Sequence, residues 1–284
     1  MTGGSSVASA SGAEALQRLT VGVARDDADL LAAALIDLAP AGWCERAGSE
    51  GVGVELWLPV ADTAACERLR VQLSEQGIAA TVASVIESDE WRDGLRRHHQ
   101  PIEVGGYLRV RPPWAEPRID MLDIVIDPGM AFGTGQHATT KGCLALLLGD
   151  PGGSLLDVGC GSGVLSIAAR KLGYDPVWAI DFDPLAVEAT RVNARVNGVS
   201  IRIAERHADR DRLPVADVVV ANITAIPVMA LVAALAEPLP TQAILSGFRP
   251  VDVQRVTDVW SAKGYVLAAR IDEDDWTAVR LVRT

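Results

Sequence analysis

A glycine-rich loop is the first segment of the sequence whose residue types could bind a ligand. Leu155–Val158 is predicted to be a buried strand, and Gly159, Gly161 and Gly163 follow at alternate positions before a predicted helix over Gly163–Leu172. Glycines allow the backbone to turn tightly and to approach a ligand, and a helix N-terminus offers unpaired N–H groups. No Gly-Lys-Ser/Thr follows, which excludes a Walker loop, and the Gly-x-Gly-x-Gly spacing differs from the dinucleotide-binding fingerprint.

Acidic residues accompany this loop. Asp157 lies two residues before Gly159, and the combination resembles the first motif of S-adenosylmethionine-dependent methyltransferases with a Rossmann-like sheet, which implies that this carboxylate serves the amino-acid end of the cofactor. Asp181 ends the next predicted strand, where it can accept two hydrogen bonds from ribose hydroxyls. Asp209 follows the third strand region, where such enzymes hold the adenine amine. Asp183 and Asp209 are also compatible with solvated acids at strand ends. Cys160 is predicted to be a small filler in the loop.

A second glycine-rich segment, Asp127–Thr140, has the sequence DPGMAFGTGQHATT. Three glycines, two adjacent threonines, a phenylalanine and a histidine do not arise from core patterning. Taken by itself, the segment predicts a binding loop followed by a Thr-capped helix. Without further context, His137 is predicted to be a hydrogen-bonding residue at the helix start rather than a base, and Phe132 a core residue.

This segment resembles the signature of the bacterial ribosomal protein L11 methyltransferases (PrmA), Asp-Pro-Gly-x-Ala-Phe-Gly-Thr-Gly-x-His-x-Thr-Thr, and every specified position matches. Two positions depart from the usual pattern: Ala138 replaces a proline and Thr224 replaces a leucine. The similarity continues in a linker, in the start of a catalytic domain and at two strand ends. These further segments are Glu90–Gly94, Pro101, Gly105, Arg109–Trp114, Asn222-Ile223 and Leu245–Gly247.

The resemblance implies a protein methyltransferase that transfers methyl groups from S-adenosylmethionine to lysine and N-terminal amines of a large-subunit ribosomal protein, leaving S-adenosylhomocysteine. It also implies residues that wrap the methionine end of the cofactor, residues that hold its carboxylate and one residue that faces the methyl group and the incoming nitrogen. The residues around the methionine end are Phe132, Gly133, Thr134 and Gly135. Those that hold the carboxylate are Thr139 and Thr140, and the residue that faces the methyl group is Asn222.

Methyl transfer from a sulfonium needs little acid–base chemistry from side chains. The cofactor supplies the reactivity, and the protein supplies alignment and electrostatics. The sequence offers no clear general base: His137 is one candidate, and Asn222 can orient an amine through its carbonyl oxygen without acting as a base. The fourth-strand motif Asn-Ile-Thr differs from Asn/Asp-Pro-Pro-Tyr, which argues against enzymes that methylate nucleobases or glutamine amides.

The chain divides into two halves with different patterns. The first half has the order β-α-β-β-α-β, which is typical of ferredoxin-like α+β domains. The second half alternates strand and helix and ends in two strands joined by Asp272–Asp275, which predicts an α/β, Rossmann-like seven-stranded methyltransferase sheet with a terminal antiparallel hairpin. The predicted domains are a flexible tail (1–18), an N-terminal substrate-recognition domain (19–87), a linker helix (88–100) and a methyltransferase domain (101–284).

Composition limits the class of protein. The 284 residues carry a formal net charge of −11, which argues against nucleic-acid binding as the main task and is compatible with a basic protein partner. The four cysteines form no Cys-x-x-Cys pair, so we expect no metal site and a reducing compartment. No apolar run is long enough to span a membrane, and the N-terminus does not resemble a signal peptide, so a cytoplasmic location is expected.

Two other functions remain compatible with these patterns. The chain could methylate another protein lysine or a small-molecule amine, in which case the N-terminal domain would be expected to close over the cofactor pocket. It could also be a cofactor-binding module without catalysis, although the intact loop, Asp181 and Asn222 argue against that interpretation.

Overall fold

A computed structural model describes residues 99–127, 137–149 and 152–284, together with the backbone of four strands nearer the N-terminus and two single helical positions, Val71 and Ser74. The chain separates into two compact units, 1–95 and 96–284. The predicted tail up to residue 15, most of the three predicted helices over 26–38, 61–76 and 88–99, and residues 128–136 of the second glycine-rich segment lie outside the described residues.

The N-terminal unit contains a four-stranded antiparallel sheet. Its strands are β1 (Leu16–Val23), β2 (Trp43–Ala47), β3 (Val52–Pro59) and β4 (Ala80–Val85), in the spatial order β2-β3-β1-β4. The two central strands, β1 and β3, pair along their whole length, from Leu16 opposite Pro59 to Val23 opposite Val52. Strand β1 begins three residues before the strand that the sequence predicts.

A three-stranded sheet opens the C-terminal unit. It consists of β5 (Ile102–Val104), β6 (Leu108–Arg111) and β7 (Leu122–Val125), with β5 antiparallel and β7 parallel to β6. Arg109 and Arg111 both donate to Asp123 of the neighbouring strand, over 3.3 and 2.6 Å. The ion pairs are largely shielded from solvent, so they fix the strand that leads into the second glycine-rich segment.

The predicted seven-stranded sheet forms the centre of this unit. Its spatial order is β10-β9-β8-β11-β12-β14-β13, and all neighbours are parallel except β14, which is antiparallel to both β12 and β13. The predicted terminal hairpin is therefore confirmed. The strands are β8 (Leu155–Val158), β9 (Val177–Asp181), β10 (Arg202–Glu205), β11 (Val218–Asn222), β12 (Gln242–Phe248), β13 (Tyr265–Glu273) and β14 (Trp276–Arg283).

Five helices of this unit are described. They are α1 (Ala138–Leu147), α2 (Val164–Leu172), α3 (Pro184–Val196), α4 (Ala225–Ala234) and α5 (Val253–Ser261), the last preceded by a 3₁₀ turn at Pro250–Asp252. Local sequence explains the ends of two of them. Asp183 caps α3 by accepting a hydrogen bond from the Leu185 N–H, with proline at the first helical position. Helix α2 ends at Gly173, which adopts the left-handed conformation.

The core lies on both faces of the seven-stranded sheet, because successive side chains of a strand point to opposite sides. One apolar cluster includes Leu155, Val218 and Val220, and the other includes Leu156 and Val219. Both faces of β8 and β11 are therefore buried, which explains why their sequences are apolar except for Asp157 and the terminal Asn222. No helix among the described residues is long and apolar enough to cross a membrane.

Candidate cofactor and methyl-transfer site

The predicted site residues gather where the parallel strands end. Strand β8 lies between β9 and β11. From β8 the chain continues through α2 to β9 on one side, and from β11 it continues through α4 to β12 on the other side. In open α/β sheets this switch point opens a crevice at the carboxyl ends of the strands, where ligands bind. The first glycine loop follows β8 at this place.

The glycine loop requires its glycines. Gly159, Gly161 and Gly163 have φ angles of 74°, 53° and 80°, in the left-handed region that side chains disfavour. A Cβ atom at Gly159 would lie 2.6 Å from Cγ2 of Ile223, and one at Gly163 would lie 2.7 Å from Cγ2 of Thr190. The loop therefore brings bare backbone close to the end of β11 and to helix α3.

Asp157 is completely buried beneath this loop. Its Oδ2 accepts a hydrogen bond from the Ser166 hydroxyl over 2.6 Å, while Oδ1 has no hydrogen-bond partner among the described residues. Burial raises the pKa of Asp157 to about 7, and the bond from Ser166 opposes this shift. A buried carboxylate oxygen without a donor is costly, so this position is suited to a ligand that brings one.

Asp181 supports the loop from the end of the neighbouring strand. Its Oδ2 accepts from the Gly161 N–H over 3.0 Å, and its Oδ1 accepts from the Asp183 N–H over 3.1 Å. Burial raises the pKa of this carboxyl group, and the bond from Gly161 is the largest effect that opposes it. Each carboxylate oxygen retains a further lone pair for a ligand.

Asp209 has different surroundings. Its side chain is 69 % exposed and pairs only loosely with its neighbour Arg210, at 3.6 Å. It lies in a turn four residues beyond the end of β10, whose last residue pairs with Asp181. Its predicted contact with adenine stays a prediction.

Phe182 and His207 form an aromatic pair that the sequence patterns did not identify. Their rings stack with centroids 5.8 Å apart and planes 23° from parallel, and Phe182 is 58 % exposed. Phe182 directly follows Asp181, so this exposed ring lies beside the predicted ribose contact. A large aromatic residue exposed immediately after a strand-end acid is the sequence signal that could have indicated it.

Helix α1 brings the second predicted motif to the same edge of the sheet. The side chain of its N-cap residue His137 accepts from the Thr139 N–H, and its Nδ1 lies 2.8 Å from the Thr139 hydroxyl. The predicted Thr cap is therefore corrected to a histidine cap, because Thr139 is already the second residue of the helix. The His137 ring also contacts Trp276 of β14 edge-on, at 4.9 Å between centroids.

The next residue of α1 contacts the end of β11. The Asn222 amide donates to the Thr140 hydroxyl over 3.2 Å, and Thr140 is buried. The structure therefore brings Thr140 and Asn222 together, as the family resemblance implies. Phe132, Gly133, Thr134 and Gly135 lie outside the described residues, and their roles stay predictions.

Asn193 of helix α3 joins the two glycine-rich segments. Its Nδ2 donates to the Ser162 carbonyl in the first loop over 2.9 Å, and its Oδ1 accepts from the N–H of Asp127, at the start of the second segment, over 3.4 Å. One turn later, Asn197 both donates to the Val125 carbonyl and accepts from its N–H. Sequence patterns do not indicate either amide, because asparagine in a helix is usually a surface residue.

A sequence model of the ribosomal protein L11 methyltransferase (PrmA) family matches residues 45–284. The chain belongs to this family. The ribosomal protein L11 methyltransferase of Symbiobacterium thermophilum is 36 % identical over 248 residues, covering 81 % of this chain and 80 % of that protein. The enzyme of Oceanobacillus iheyensis is 32 % identical over 265 residues, covering 86 % and 82 %.

A solved structure agrees with this membership. The chain superposes on the ribosomal protein L11 methylase of Lactobacillus delbrueckii subsp. bulgaricus with a TM-score of 0.58 and 28 % identity, covering 65 % of this chain and 99 % of that one. The prediction of the PrmA family from the Asp127–Thr140 signature is confirmed, and with it the enzyme class, a methyltransferase that uses S-adenosylmethionine.

The described residues fit this cofactor. The unpartnered Oδ1 of Asp157 can accept from an ammonium group, and Asp181 retains acceptor capacity for hydroxyls. A Cβ atom at Gly159 or Gly163 would collide with a neighbouring side chain, so the loop can keep this conformation only with bare backbone. Among the described residues, no cluster of metal-ligating side chains is present.

Proposed function

We propose that this enzyme methylates ribosomal protein L11, at lysine side chains and at the N-terminal amine. The observation that carries the proposal is the extent of the family match, which runs from residue 45 to residue 284 and thus includes strands of both compact units. A relative that shared only the cofactor-binding fold would match the second unit alone.

The cofactor is proposed to lie across the carboxyl ends of β8 and β9. Asp157 would accept from its ammonium group, Asp181 from its ribose hydroxyls, and the glycine loop would face it with bare backbone. Phe182 and His207 would border its adenine, because aromatic rings stack on bases, and Asp209 would accept from the adenine amine. Thr139 and Thr140, with residues 132–135, would hold its methionine end.

The bound cofactor supplies the electrophilic methyl group. The residues of the chain must then present a neutral amine in line with that group. A free lysine is neutral in only about one molecule in two thousand at pH 7, so the proton has to leave before attack. Asn222 is proposed to orient the amine: its Nδ2 is engaged by Thr140, which leaves its carbonyl oxygen to accept an amine hydrogen. The fixed orientation of this amide lowers the entropic cost of reaching the reactive geometry.

The N-terminal unit is proposed to recognise the acceptor protein. The antiparallel order β2-β3-β1-β4 supports a ferredoxin-like domain, which we place at residues 19–87 and join to the methyltransferase domain (101–284) by a linker over 88–100. Removal of residues 1–86 should then abolish methylation of the protein substrate while cofactor binding is retained. Full activity of the shortened chain on the protein would contradict this assignment.

The decisive test is incubation of the purified enzyme with methyl-labelled S-adenosylmethionine and ribosomal proteins from the same cell, followed by intact-protein mass spectrometry. Stepwise mass gains on ribosomal protein L11, in a reaction mixture without added metal, are the expected result. Cofactor binding without labelling of that protein would overturn the proposed acceptor and leave the methyltransferase class unchanged.

A further inference from the structure

Helix α4 has an exposed face made entirely of apolar residues. Its buried positions follow the usual helical spacing, at Val228, Leu231, Val232 and Leu235. The opposite face is usually charged or polar in a surface helix. Here that face consists of Ile226, Pro227, Ala230 and Ala233, and Ile226 is 74 % exposed. We call these four residues the α4 face.

The neighbouring helix α5 shows that this composition is not a general property of the domain. Helices α4 and α5 pack together, and the Trp260 indole donates to the Val228 carbonyl between them. The exposed positions of α5 include Gln254, Arg255 and Asp258, as expected for a helix in water. The sequence from residue 223 to 236, by contrast, contains no charged residue.

The α4 face begins at the proposed methyl-transfer position. Helix α4 starts three residues after Asn222, so its first turn lies at the same edge of the sheet as the Asn222 amide. The 3₁₀ turn after the adjacent strand β12 adds a second exposed apolar residue at this edge, Val251, which is 78 % exposed. These exposed apolar side chains therefore lie at the edge of the sheet where Asn222 ends β11.

Charge distinguishes the possible occupants of this surface. A second copy of the chain would bring a further net charge of −11, which opposes self-association. An acceptor that presents lysines is attracted by the acidic chain, and the uncharged α4 face imposes no cost of burying an ion. Exposed apolar side chains contiguous with a reactive centre are typical of a protein-binding surface.

We propose that the α4 face is the docking surface for the acceptor protein, and that it binds apolar side chains adjacent to the methylated amine. This proposal rests on the proposed function and adds to it the place where the C-terminal unit contacts the acceptor. The N-terminal unit would select the protein, and the α4 face would seat the segment that reacts.

The test replaces Ile226 by glutamine, which is neutral and favours helix, so that neither net charge nor helix propensity changes greatly. Steady-state methylation of purified ribosomal protein L11 is measured with saturating cofactor, and cofactor affinity is measured separately by calorimetry. We expect Ile226→Gln to raise the KM for the protein roughly tenfold, as for an apolar contact near the centre of an interface. The cofactor affinity and the melting temperature should stay at the wild-type values.

Two further variants make the test specific. Ala230→Gln, one turn along the same face, should also raise the KM for the protein. Val266→Gln is the matched control, because Val266 is an exposed apolar residue at the start of β13, opposite Val282, near the other end of the sheet. It should leave the KM unchanged.

The outcomes separate the two proposals. Suppose that the wild type methylates ribosomal protein L11. An unchanged KM for Ile226→Gln, or an equal rise in KM for Val266→Gln, would then overturn the docking surface and leave the proposed function intact. A wild-type dimer that Ile226→Gln dissociates without a change in KM would identify a second copy as the occupant. Absence of both binding and methylation of this protein by the wild-type chain would overturn both proposals.

Discussion

The Asn222 amide donates a hydrogen bond to the Thr140 hydroxyl across 3.2 Å, between the end of strand β11 and the first turn of helix α1. These residues are 82 positions apart in the sequence, and each belongs to a different predicted motif. Their contact brings the two motifs together, and it fixes which end of the Asn222 amide faces the helix.

Replacement of Asn222 by alanine should lower turnover more than cofactor affinity, because the amide is proposed to orient the amine. A double-mutant cycle with Thr140→Val should give a coupling energy of about 0.5–1.5 kcal/mol in the free energy of unfolding, the usual contribution of one hydrogen bond. Kinetics and chemical denaturation supply the two measurements. Equal losses of turnover and cofactor affinity would contradict the placement of Asn222 at the methyl group.

Asp181→Ala should weaken cofactor binding at least tenfold. The substitution removes a carboxylate proposed to accept from the ribose and also frees the Gly161 N–H of the loop, and bonds to charged groups contribute about 1.5–3 kcal/mol each. Calorimetry checks the affinity, and circular dichroism checks that the fold is retained. The exposed Asp258→Ala on helix α5 serves as the control. An unchanged affinity in Asp181→Ala would rule out the ribose role.

The stability of the unliganded enzyme should fall between about pH 4 and pH 7 because of Asp157. Burial raises the pKa of this carboxyl group to about 7 from an ordinary value of 3.8. The folded state therefore binds the proton more tightly than the unfolded state, and the resulting stability is present at low pH and is lost as the pH rises. Asp157→Asn should remove this contribution, so its stability relative to the wild type should increase with pH. Urea denaturation at a series of pH values measures the difference, and parallel curves would disprove it.

Gly159→Ala should destabilise the fold more than Gly173→Ala. Both glycines have positive φ angles, but a Cβ atom at Gly159 meets the Ile223 side chain at 2.6 Å, whereas one at Gly173 meets nothing within 4 Å. Gly173→Ala should therefore cost only about 1–2 kcal/mol of backbone strain. Ile223→Ala removes the colliding methyl group and should partly rescue Gly159→Ala. A failure of this rescue in thermal denaturation would show that the backbone conformation alone explains the loss.

Asn193→Leu should loosen both glycine-rich segments at once. Leucine has a similar size but cannot bond to the Ser162 carbonyl or to the Asp127 N–H. Hydrogen exchange should increase in residues 159–163 and after residue 127, and cofactor affinity should fall. The Asn197 amide bonds to Val125 and to the Asn193 carbonyl, so Asn197→Leu removes no bond to the first segment and should affect the second segment alone. Identical exchange profiles for the two variants would contradict a bridging role for Asn193.

The sequence predicted the elements whose signals are local. Mostly apolar runs marked β8, β9 and β11, and the acidic turn before Trp276 marked the terminal hairpin, because burial on both faces and turn chemistry leave clear patterns. Strand β5, of three residues, was not predicted, and β10, of four residues, was predicted only as a strand region before Asp209, without bounds. Such short strands are stabilised by their neighbours in the sheet rather than by their own sequence.

The sequence indicated candidate site residues where one motif contains them, and it missed contacts where distant elements meet. Asp157, Asp181 and the glycines stand in or beside recognisable loops. The bridge by Asn193 and the pair of Phe182 with His207 depend on how helix α3 and the turn after β10 pack against those loops. Spacing along the chain carries no information about such contacts. The cap of helix α1 was assigned to threonine and not to His137 for a related reason. Threonine is the commoner capping residue, and only the backbone geometry shows where the helix begins.

In the proposed binding mode, the unpartnered oxygen of Asp157 links the lifetime of the enzyme to the supply of its methyl donor. A buried carboxylate that lacks a donor lowers the stability of the empty protein, and a ligand that binds only the folded state adds stability in proportion to the logarithm of its concentration. Chains without cofactor open more often and are exposed to proteases for a larger fraction of time. In this binding mode, scarcity of the donor should increase degradation of the enzyme as well as reduce its occupancy.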